Sequence, residues 1–319
     1  MKTDLVQSAS RQPMSFSSLL DRPKVQSTFL EGHEGAVHSV AFLFTIDGLF
    51  LASGSEDGTV RLWDPASGKH LRTQEGHKGA VHSVAFAPDG STLASGSSDG
   101  TVKVWNGATG NIQQTLKGHK GAVHSVAYSC DGGNLASGDD GGMVRVWNTA
   151  TWRHQHTLEG HESSVQSVAF SPNGLLASGS LDGTCRVWNT SPWMPARALE
   201  QNEGLVESVA FSLNGKEFAS ASHGGDVQLW DTSTWKSRDS LENNRDGIHA
   251  VAFSPDGLLL ASTGHDDGTV SLWNVITGEH LRNVKGHHAG VGSVAFSPNG
   301  RVLATASADE SIGLWRVIK

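Results

Sequence analysis

The feature that most constrains the fold of this chain is a tryptophan that returns at an almost constant interval. Seven tryptophans close a short run of the type Val-Arg-Leu-Trp, with successive ones 41 to 43 residues apart: Trp63, Trp105, Trp147, Trp188, Trp230, Trp273 and Trp315. Such regular spacing indicates an internal repeat, and one repeat of this length cannot bury its apolar faces alone. The copies must therefore pack on one another to build a continuous core.

Each copy contains the same turn and strand signals in the same order. In the second copy, Gly76-His77 precedes the alternating run 81–86, a Pro-Asp-Gly turn follows at 88–90, and an Asp99-Gly100 turn precedes the run that ends at Trp105. Short β-rich runs separated by such turns predict antiparallel strands joined by hairpins. Another such run precedes each Gly-His, so every copy predicts four short strands.

Four short antiparallel strands per copy, with Gly-His, Asp-Gly and a closing Trp, resemble the Trp-Asp repeat family of β-propellers. The resemblance covers about residues 25–319, and Trp-Asp itself occurs at Trp63-Asp64 and Trp230-Asp231. It implies an all-β fold, a seven-bladed β-propeller with four antiparallel strands in each blade.

The two ends of the chain indicate how the ring closes. The last copy ends soon after Trp315 and has no fourth strand behind it, whereas residues 25–30 precede the first Gly-His and match the other fourth strands in position. We therefore expect the N-terminal strand to complete the last blade. We expect residues 1–23, rich in Ser and polar residues, to be a disordered leader, and residues 24–319 to form the propeller.

Composition disfavours several classes of function. The formal net charge of −8 opposes a phosphate backbone and argues against nucleic-acid binding. No apolar run is long enough to span a bilayer, so we expect no membrane attachment. Two cysteines, Cys130 and Cys185, make no disulfide framework, which fits a reducing compartment. Cys185 stands where other copies have valine and is expected in the core. We expect a cytoplasmic protein, with a nuclear location left open, that uses no cofactor.

A histidine, a hydroxyl residue, an aspartate and a tryptophan recur as a tetrad in four copies. The sets are His33, Ser53, Asp57 and Trp63; His77, Ser95, Asp99 and Trp105; His161, Ser178, Asp182 and Trp188; and His287, Thr305, Asp309 and Trp315. His, Ser and Asp together suggest a hydrolase triad, but an active site does not need four copies. Since an indole can only donate, a chain from Trp through the hydroxyl and His to Asp satisfies every member. In the resembled family this tetrad is structural.

Three copies depart from the tetrad pattern. The third has Gly141 at the Asp position, with Asp140 beside it. The fifth has Asn202 in place of His and Gly224 in place of Asp, and the sixth has Asn244 in place of His but retains Asp267. We expect blades five and six to be held less firmly.

Two further positions vary from copy to copy, and the resemblance places both on the top face, near the central channel. One follows the first Val of the inner strand, and the other precedes the tetrad Asp. The candidate partner-binding residues there are His38, Glu56, His82, His124, Asp140, Gln166, Leu181, Glu207, His223, His249 and Asp266. Imidazoles suggest a metal, but we expect none, because copies of a propeller are expected to stand too far apart for their side chains to share an ion. The carboxylates favour a ligand segment with Lys or Arg.

A second candidate patch lies on the opposite face. The turn after the motif Trp holds Gly68, Gly110 and Gly278 in three copies, whereas copies three, four and five have Trp152, Trp193 and Trp235. Each ring either shields its own hairpin or joins the others in a contact surface, since aromatic residues are enriched at binding hot spots.

The sequence thus favours a scaffold or adaptor that binds a protein or peptide partner and is not an enzyme. We expect a monomer within a larger complex. One alternative is the sensor or recognition arm of a signalling complex. Another is an enzymatic propeller, which would need one irreplaceable polar cluster, whereas the distinctive positions here are scattered around rings.

Overall fold

A computed structural model describes residues 24–200, 204–242, 247–264 and 268–318, and within these ranges every regular element is a β-strand. The expected leader, residues 1–23, lies outside the described residues, as do Asn202, Asn244, Asp266 and Asp267. In the described part of the chain there is no helix with the length and apolar character needed to cross a membrane.

The described residues form 28 strands of five to nine residues. The first fourteen are β1 Lys24–Leu30, β2 Val37–Thr45, β3 Gly48–Ser55, β4 Val60–Asp64, β5 Lys69–Gln74, β6 Val81–Phe86, β7 Thr92–Ser97, β8 Val102–Asn106, β9 Ile112–Leu116, β10 Val123–Tyr128, β11 Asn134–Asp139, β12 Val144–Asn148, β13 His154–Leu158 and β14 Val165–Phe170. The others are β15 Leu175–Ser180, β16 Thr184–Thr190, β17 Trp193–Glu200, β18 Val206–Phe211, β19 Glu217–Ser222, β20 Asp226–Asp231, β21 Ser237–Glu242, β22 Ile248–Phe253, β23 Leu259–Gly264, β24 Thr269–Asn274, β25 His280–Lys285, β26 Val291–Phe296, β27 Val302–Ser307 and β28 Ile312–Ile318.

These strands form seven antiparallel sheets of four strands, which are the blades of a propeller. Their orders are β2-β3-β4-β5, β6-β7-β8-β9, β10-β11-β12-β13, β14-β15-β16-β17, β18-β19-β20-β21, β22-β23-β24-β25 and β26-β27-β28-β1. The first strand of each sheet contacts the first strand of the next, and β2 contacts β26, so the sheets close into a ring. The predicted seven-bladed propeller is confirmed.

The last blade is completed by the N-terminal strand, as the sequence predicts. β1 pairs antiparallel with β28 along its whole length, from Lys24 opposite Ile318 to Leu30 opposite Ile312. Leu30 is buried between the seventh and first blades. Phe29 packs edge-on against His287 and Trp315, with ring centroids 5.3 and 5.7 Å apart.

The core of this molecule is divided among the seams between blades. Seven clusters of buried side chains each draw on two neighbouring blades, so no blade has a core of its own. Cys185 is fully buried in the seam between the fourth and fifth blades, where it takes the place of a valine as expected.

Serine side chains join the innermost strands around the channel. The Ser39 hydroxyl of the first blade accepts a hydrogen bond from the Val84 N–H of the second at 3.1 Å. The other contacts of this kind are Ser83 with Val126, Ser125 with Val168, Ser167 with Val209, Ser208 with Val251 and Ser293 with Val40. The last of these joins the seventh blade to the first, so the ring is closed at its centre as well as at its rim.

Deletion of residues 1–30 should destabilise the whole molecule. It removes every β1–β28 pair, leaves β28 as an open edge and empties the sites of Leu30 and Phe29, which together should lower the free energy of unfolding by more than about 3 kcal/mol. Deletion of residues 1–20 leaves β1 intact and is the control. Thermal melts of both truncations that coincide with the melt of the full chain would refute this account of closure.

Candidate functional site

The four predicted tetrads form continuous hydrogen-bonded chains. In the second blade, Trp105 Nε1 donates to Ser95 Oγ at 2.8 Å, Ser95 Oγ lies 2.8 Å from His77 Nε2, and His77 Nδ1 lies 2.9 Å from Asp99 Oδ2. The same contacts, at 2.7 to 3.1 Å, join the members of the tetrads in the first, fourth and seventh blades. Each chain ties the loop before a blade to two of its strands.

Burial of the histidines and hydrogen bonds to the aspartates set the charge states within the tetrads. It lowers the pKa of His33, His77, His161 and His287, although each contacts an aspartate. Burial would raise the pKa of Asp57, Asp182 and Asp309, but hydrogen bonds from Thr or Ser side chains, backbone amides and His hold it at about 2. At neutral pH each of these tetrads therefore pairs a neutral imidazole with an ionised carboxylate.

The third blade contains a complete tetrad, which corrects the prediction that it lacks the aspartate. Asp139 Oδ2 lies 2.6 Å from His119 Nδ1, His119 Nε2 lies 2.6 Å from Ser137 Oγ, and Trp147 Nε1 donates to Ser137 at 2.8 Å. Asp139 comes two residues before the expected position, Gly141, at the end of strand β11, and its carboxylate also accepts from the Gly141 amide. The fifth and sixth blades keep the Trp–Ser contact, at 3.0 Å for Trp230 and 2.9 Å for Trp273.

The tetrads are not arranged for nucleophilic catalysis. Ser53, Ser95 and Ser178 are fully buried, and each hydroxyl accepts from an indole while it contacts an imidazole. A nucleophile must reach a substrate carbonyl, and a hydroxyl enclosed in this way does not. The tetrads act as internal ties between strands.

A β-bulge in the innermost strand of every blade positions the first variable residue. Val37 pairs with Ser55 and Ser39 with Gly54, which leaves His38 as the extra residue between them. The same shift occurs at the start of all seven innermost strands. Because a bulge re-aims a side chain, these residues turn toward the channel axis.

The structure brings the bulge residues together around one cavity. The cavity has a volume of about 700 Å³ and marks the mouth of the central channel. Among its lining residues are His38, His82, His124, Gln166, Glu207, His249 and Gly292, together with His288. All six side chains at the bulges are half-buried. We call this cavity the channel mouth.

The second set of predicted top-face residues stands at the rim of the channel mouth. The backbone amides of Glu56, Asp140, Leu181 and His223 each donate to a carbonyl in the loop that precedes the innermost strand. Glu56, Asp140 and His223 are exposed, whereas Leu181 lines a separate depression on the fourth blade. Asp266 lies outside the described residues.

Imidazoles from neighbouring blades are in contact at the channel mouth. The ring centroids of His38 and His82 are 5.2 Å apart, and those of His82 and His124 are 5.0 Å apart. Side chains of neighbouring copies therefore come into contact at the channel mouth, which the sequence did not predict. Even so, no three His, Cys, Asp or Glu side chains in the described ranges are placed to hold one metal ion.

The aromatic residues predicted as a second patch lie at the seams between blades on the opposite face. Trp152, Trp193 and Trp235 are half-buried, and each packs against the cluster between its own blade and the preceding one. Trp152 and Trp235 have left-handed backbone, with φ of 56° and 55°, where other blades have glycine. Packing of the ring offsets the strain of a bulky residue in this conformation. A contact surface formed by the three rings stays a prediction.

A profile of the family described as "WD domain, G-beta repeat" matches seven consecutive stretches of the chain. They are residues 24–64, 68–106, 110–148, 152–189, 193–231, 235–274 and 278–316. The first match starts in β1, which belongs structurally to the seventh blade, because the repeat in sequence is offset by one strand from the blade in space.

Similarity to individual proteins is short. Ribosome biogenesis protein ERB1 of Chaetomium thermophilum is 49% identical over 49 residues, which are 15% of this chain and 6% of the relative. The protein of the same name from Botryotinia fuckeliana is 45% identical over 49 residues, again 15% and 6%. That from Neurospora crassa is 44% identical over 55 residues, or 17% and 7%. The matched stretch spans only a small fraction of each relative.

Replacement of Asp139 by alanine should lower the free energy of unfolding by about 1–3 kcal/mol, because it leaves the buried His119 Nδ1 without its acceptor. Asp140→Ala is the matched control, since Asp140 is adjacent in sequence but exposed. Urea midpoints measure both variants. Equal losses for the two, or a larger loss for Asp140→Ala, would contradict the assignment of Asp139 to the third tetrad.

Proposed function

Because the chain belongs to the WD-repeat family of β-propellers, we propose that it is a scaffold or adaptor that binds a protein or peptide partner at the channel mouth. The observation that carries this proposal is the cavity of about 700 Å³ in which the variable bulge residues meet. The frame of the propeller is repeated seven times, whereas these residues differ from blade to blade. They are His in four blades and Gln, Glu and Gly in the others, so the channel mouth is not symmetric.

The charges of the channel mouth favour a segment with Lys or Arg. Glu207 lies in the cavity wall, and Glu56 and Asp140 stand at its rim. Among the residues that the structure describes, those that line the cavity include no Lys or Arg. Carboxylates around a narrow opening attract a cation, speed its encounter and make binding weaken with salt.

The proposed role is binding rather than catalysis. The recurrent His, Ser and Asp residues are occupied inside the tetrads, and the variable polar residues spread around a ring instead of forming one acid–base or nucleophilic cluster. We further propose a monomer that joins a larger complex inside the cell, in the cytoplasm or the nucleus. The sensor arm of a signalling complex is a special case of this role.

The similarity to ribosome biogenesis proteins does not identify the partner. The matches of 49 to 55 residues are little longer than one repeat of 41 to 43 residues. They support a shared repeat, and the partner must be found by other means. A pull-down from cell lysate with identification by mass spectrometry would provide candidates.

Charge reversal at the channel mouth should weaken binding of a cationic segment. We expect Glu56→Lys combined with Glu207→Lys to lower the affinity for a labelled hexalysine peptide by roughly tenfold or more at low salt, because two attractive charges become repulsive. The affinity of the natural chain should also fall as salt is raised.

The control changes net charge by the same amount on the opposite face. Asp47 lies in the turn between β2 and β3, and Glu279 lies in the turn between β24 and β25, at the strand ends away from the channel mouth. Asp47→Lys with Glu279→Lys should have a much smaller effect. Equal effects of the two double variants would show attraction to net charge only and would defeat the placement of the site.

A further inference from the structure

Three imidazoles form a continuous stack on one side of the channel mouth. His38, His82 and His124 occupy the bulge position in β2, β6 and β10, the innermost strands of three adjacent blades. Their rings follow one another with centroids 5.2 and 5.0 Å apart and planes inclined by 49° and 34°. We call these three residues the imidazole stack.

The two ends of the stack differ. At one end, His124 Nε2 lies 2.5 Å from Asp140 Oδ1, and Asp140 is held by Ser164 Oγ and by the Ala122 amide. At the other end, His38 is near the Glu56 carboxylate. His82 lies between two imidazoles, and its own imidazole makes no hydrogen bond with any residue that the structure describes.

Charged and titratable groups face the stack from several elements. Asp140 and Glu56 stand at the rim, in the turns after β11 and β3. Glu207 of β18, His249 of β22 and His288, in the loop before β26, line the same cavity as the stack. The stack therefore lies inside a ring of carboxylates and further imidazoles, and protonation of the stack would make the channel mouth less acidic.

Contact between the rings opposes their simultaneous protonation. An imidazolium at His124 keeps its contact with Asp140, whereas an imidazolium at His82 has an imidazole on each side and no carboxylate in contact. Burial, followed by the charges of His124 and His38, lowers the pKa of His82 to about 4, against the opposing effect of Asp140. Burial also lowers the pKa of His38, although Glu56 opposes it. Both residues are therefore neutral at neutral pH.

We propose that the imidazole stack is an acid-sensitive element, whose protonation lowers the affinity of the channel mouth for a cationic segment. This inference rests on the proposed function, because it specifies how that same site is regulated. A neutral stack leaves the carboxylates of the channel mouth dominant. Each added imidazolium cancels one of them and repels a Lys or Arg side chain.

The direction of the effect on stability follows from the same shifts. A free imidazole titrates near pH 6.5, whereas the folded chain resists protonation of His38 and His82. The unfolded chain therefore binds more protons in the window from about 6.5 down to about 4. The contribution of His38 and His82 to the free energy of unfolding is complete above this pH window and is lost as the pH falls through it.

The binding test compares the affinity for hexalysine at pH 7.5 and at pH 4.0, because His82, with a pKa of about 4, is still largely neutral at pH 5. For the natural chain we expect a fall that exceeds the fall in the triple variant described next by roughly twofold or more, because about half of the His82 side chains must lose a proton on binding at pH 4.0. The triple variant His38→Asn, His82→Asn and His124→Asn should show the smaller fall that loss of carboxylate charge alone causes, whatever its affinity at pH 7.5. His154→Asn with His156→Asn, on the exposed strand β13, should keep the natural ratio.

The second test needs no ligand and follows the imidazole signals by NMR as the pH is lowered. We expect His82 to titrate near pH 4, and we expect His124→Asn to raise the His82 midpoint by removal of a neighbouring charge. A His82 midpoint near 6.5, or one unmoved by His124→Asn, would overturn the inference.

The outcomes separate the two proposals. Failure of hexalysine to bind the natural chain at pH 7.5 counts against the proposed function and against regulation of cation binding, while NMR still decides whether the stack is coupled. Binding at pH 7.5 with the same loss on acidification in the triple variant and the natural chain leaves the proposed function standing and refutes the role of the stack.

Discussion

Closure of the ring is the constraint on which the rest of this structure depends. Among the described residues every core cluster lies between two blades, so a blade is stabilised by packing on its neighbours. The last seam packs residues about 270 positions apart in the chain, such as Val40 of β2 and Ile312 of β28. Because each blade packs on both of its neighbours, the stability of the ring includes the interfaces between blades and is not the sum of independent blades.

Closure also creates the channel mouth. Seven innermost strands converge on one axis, and their serine contacts fix the spacing of neighbouring blades. The bulge at the start of each strand then directs one side chain per blade to the mouth. His38, His82 and His124 are brought to about 5 Å by this spacing, although they are more than 40 residues apart in sequence.

The sequence alone predicts the elements that each repeat specifies within itself. The strands, the turns, four of the tetrads and the closing role of β1 follow from the order of Gly-His, Asp-Gly and Trp in each copy. Asp139 was missed because an alignment assigns the aspartate by position, whereas His119 Nδ1 needs only a carboxylate within reach, and the end of β11 supplies one. The imidazole contacts were missed because the distance across blades depends on the radius of the closed ring, which no single repeat encodes.

The residues at the bulges differ between the two sides of the channel mouth, although the seven blades around it have nearly the same backbone. Imidazoles occupy the bulge position in blades one to three and in blade six, Gln166 and Glu207 occupy it in blades four and five, and Gly292 leaves blade seven without a side chain there. A ligand at the axis therefore meets a carboxylate on one side and a proton-accepting stack on the other. A cationic group is attracted to Glu207 at neutral pH, and a protonated stack repels the same group. The asymmetry that orients a cationic ligand at neutral pH therefore weakens its binding in acid.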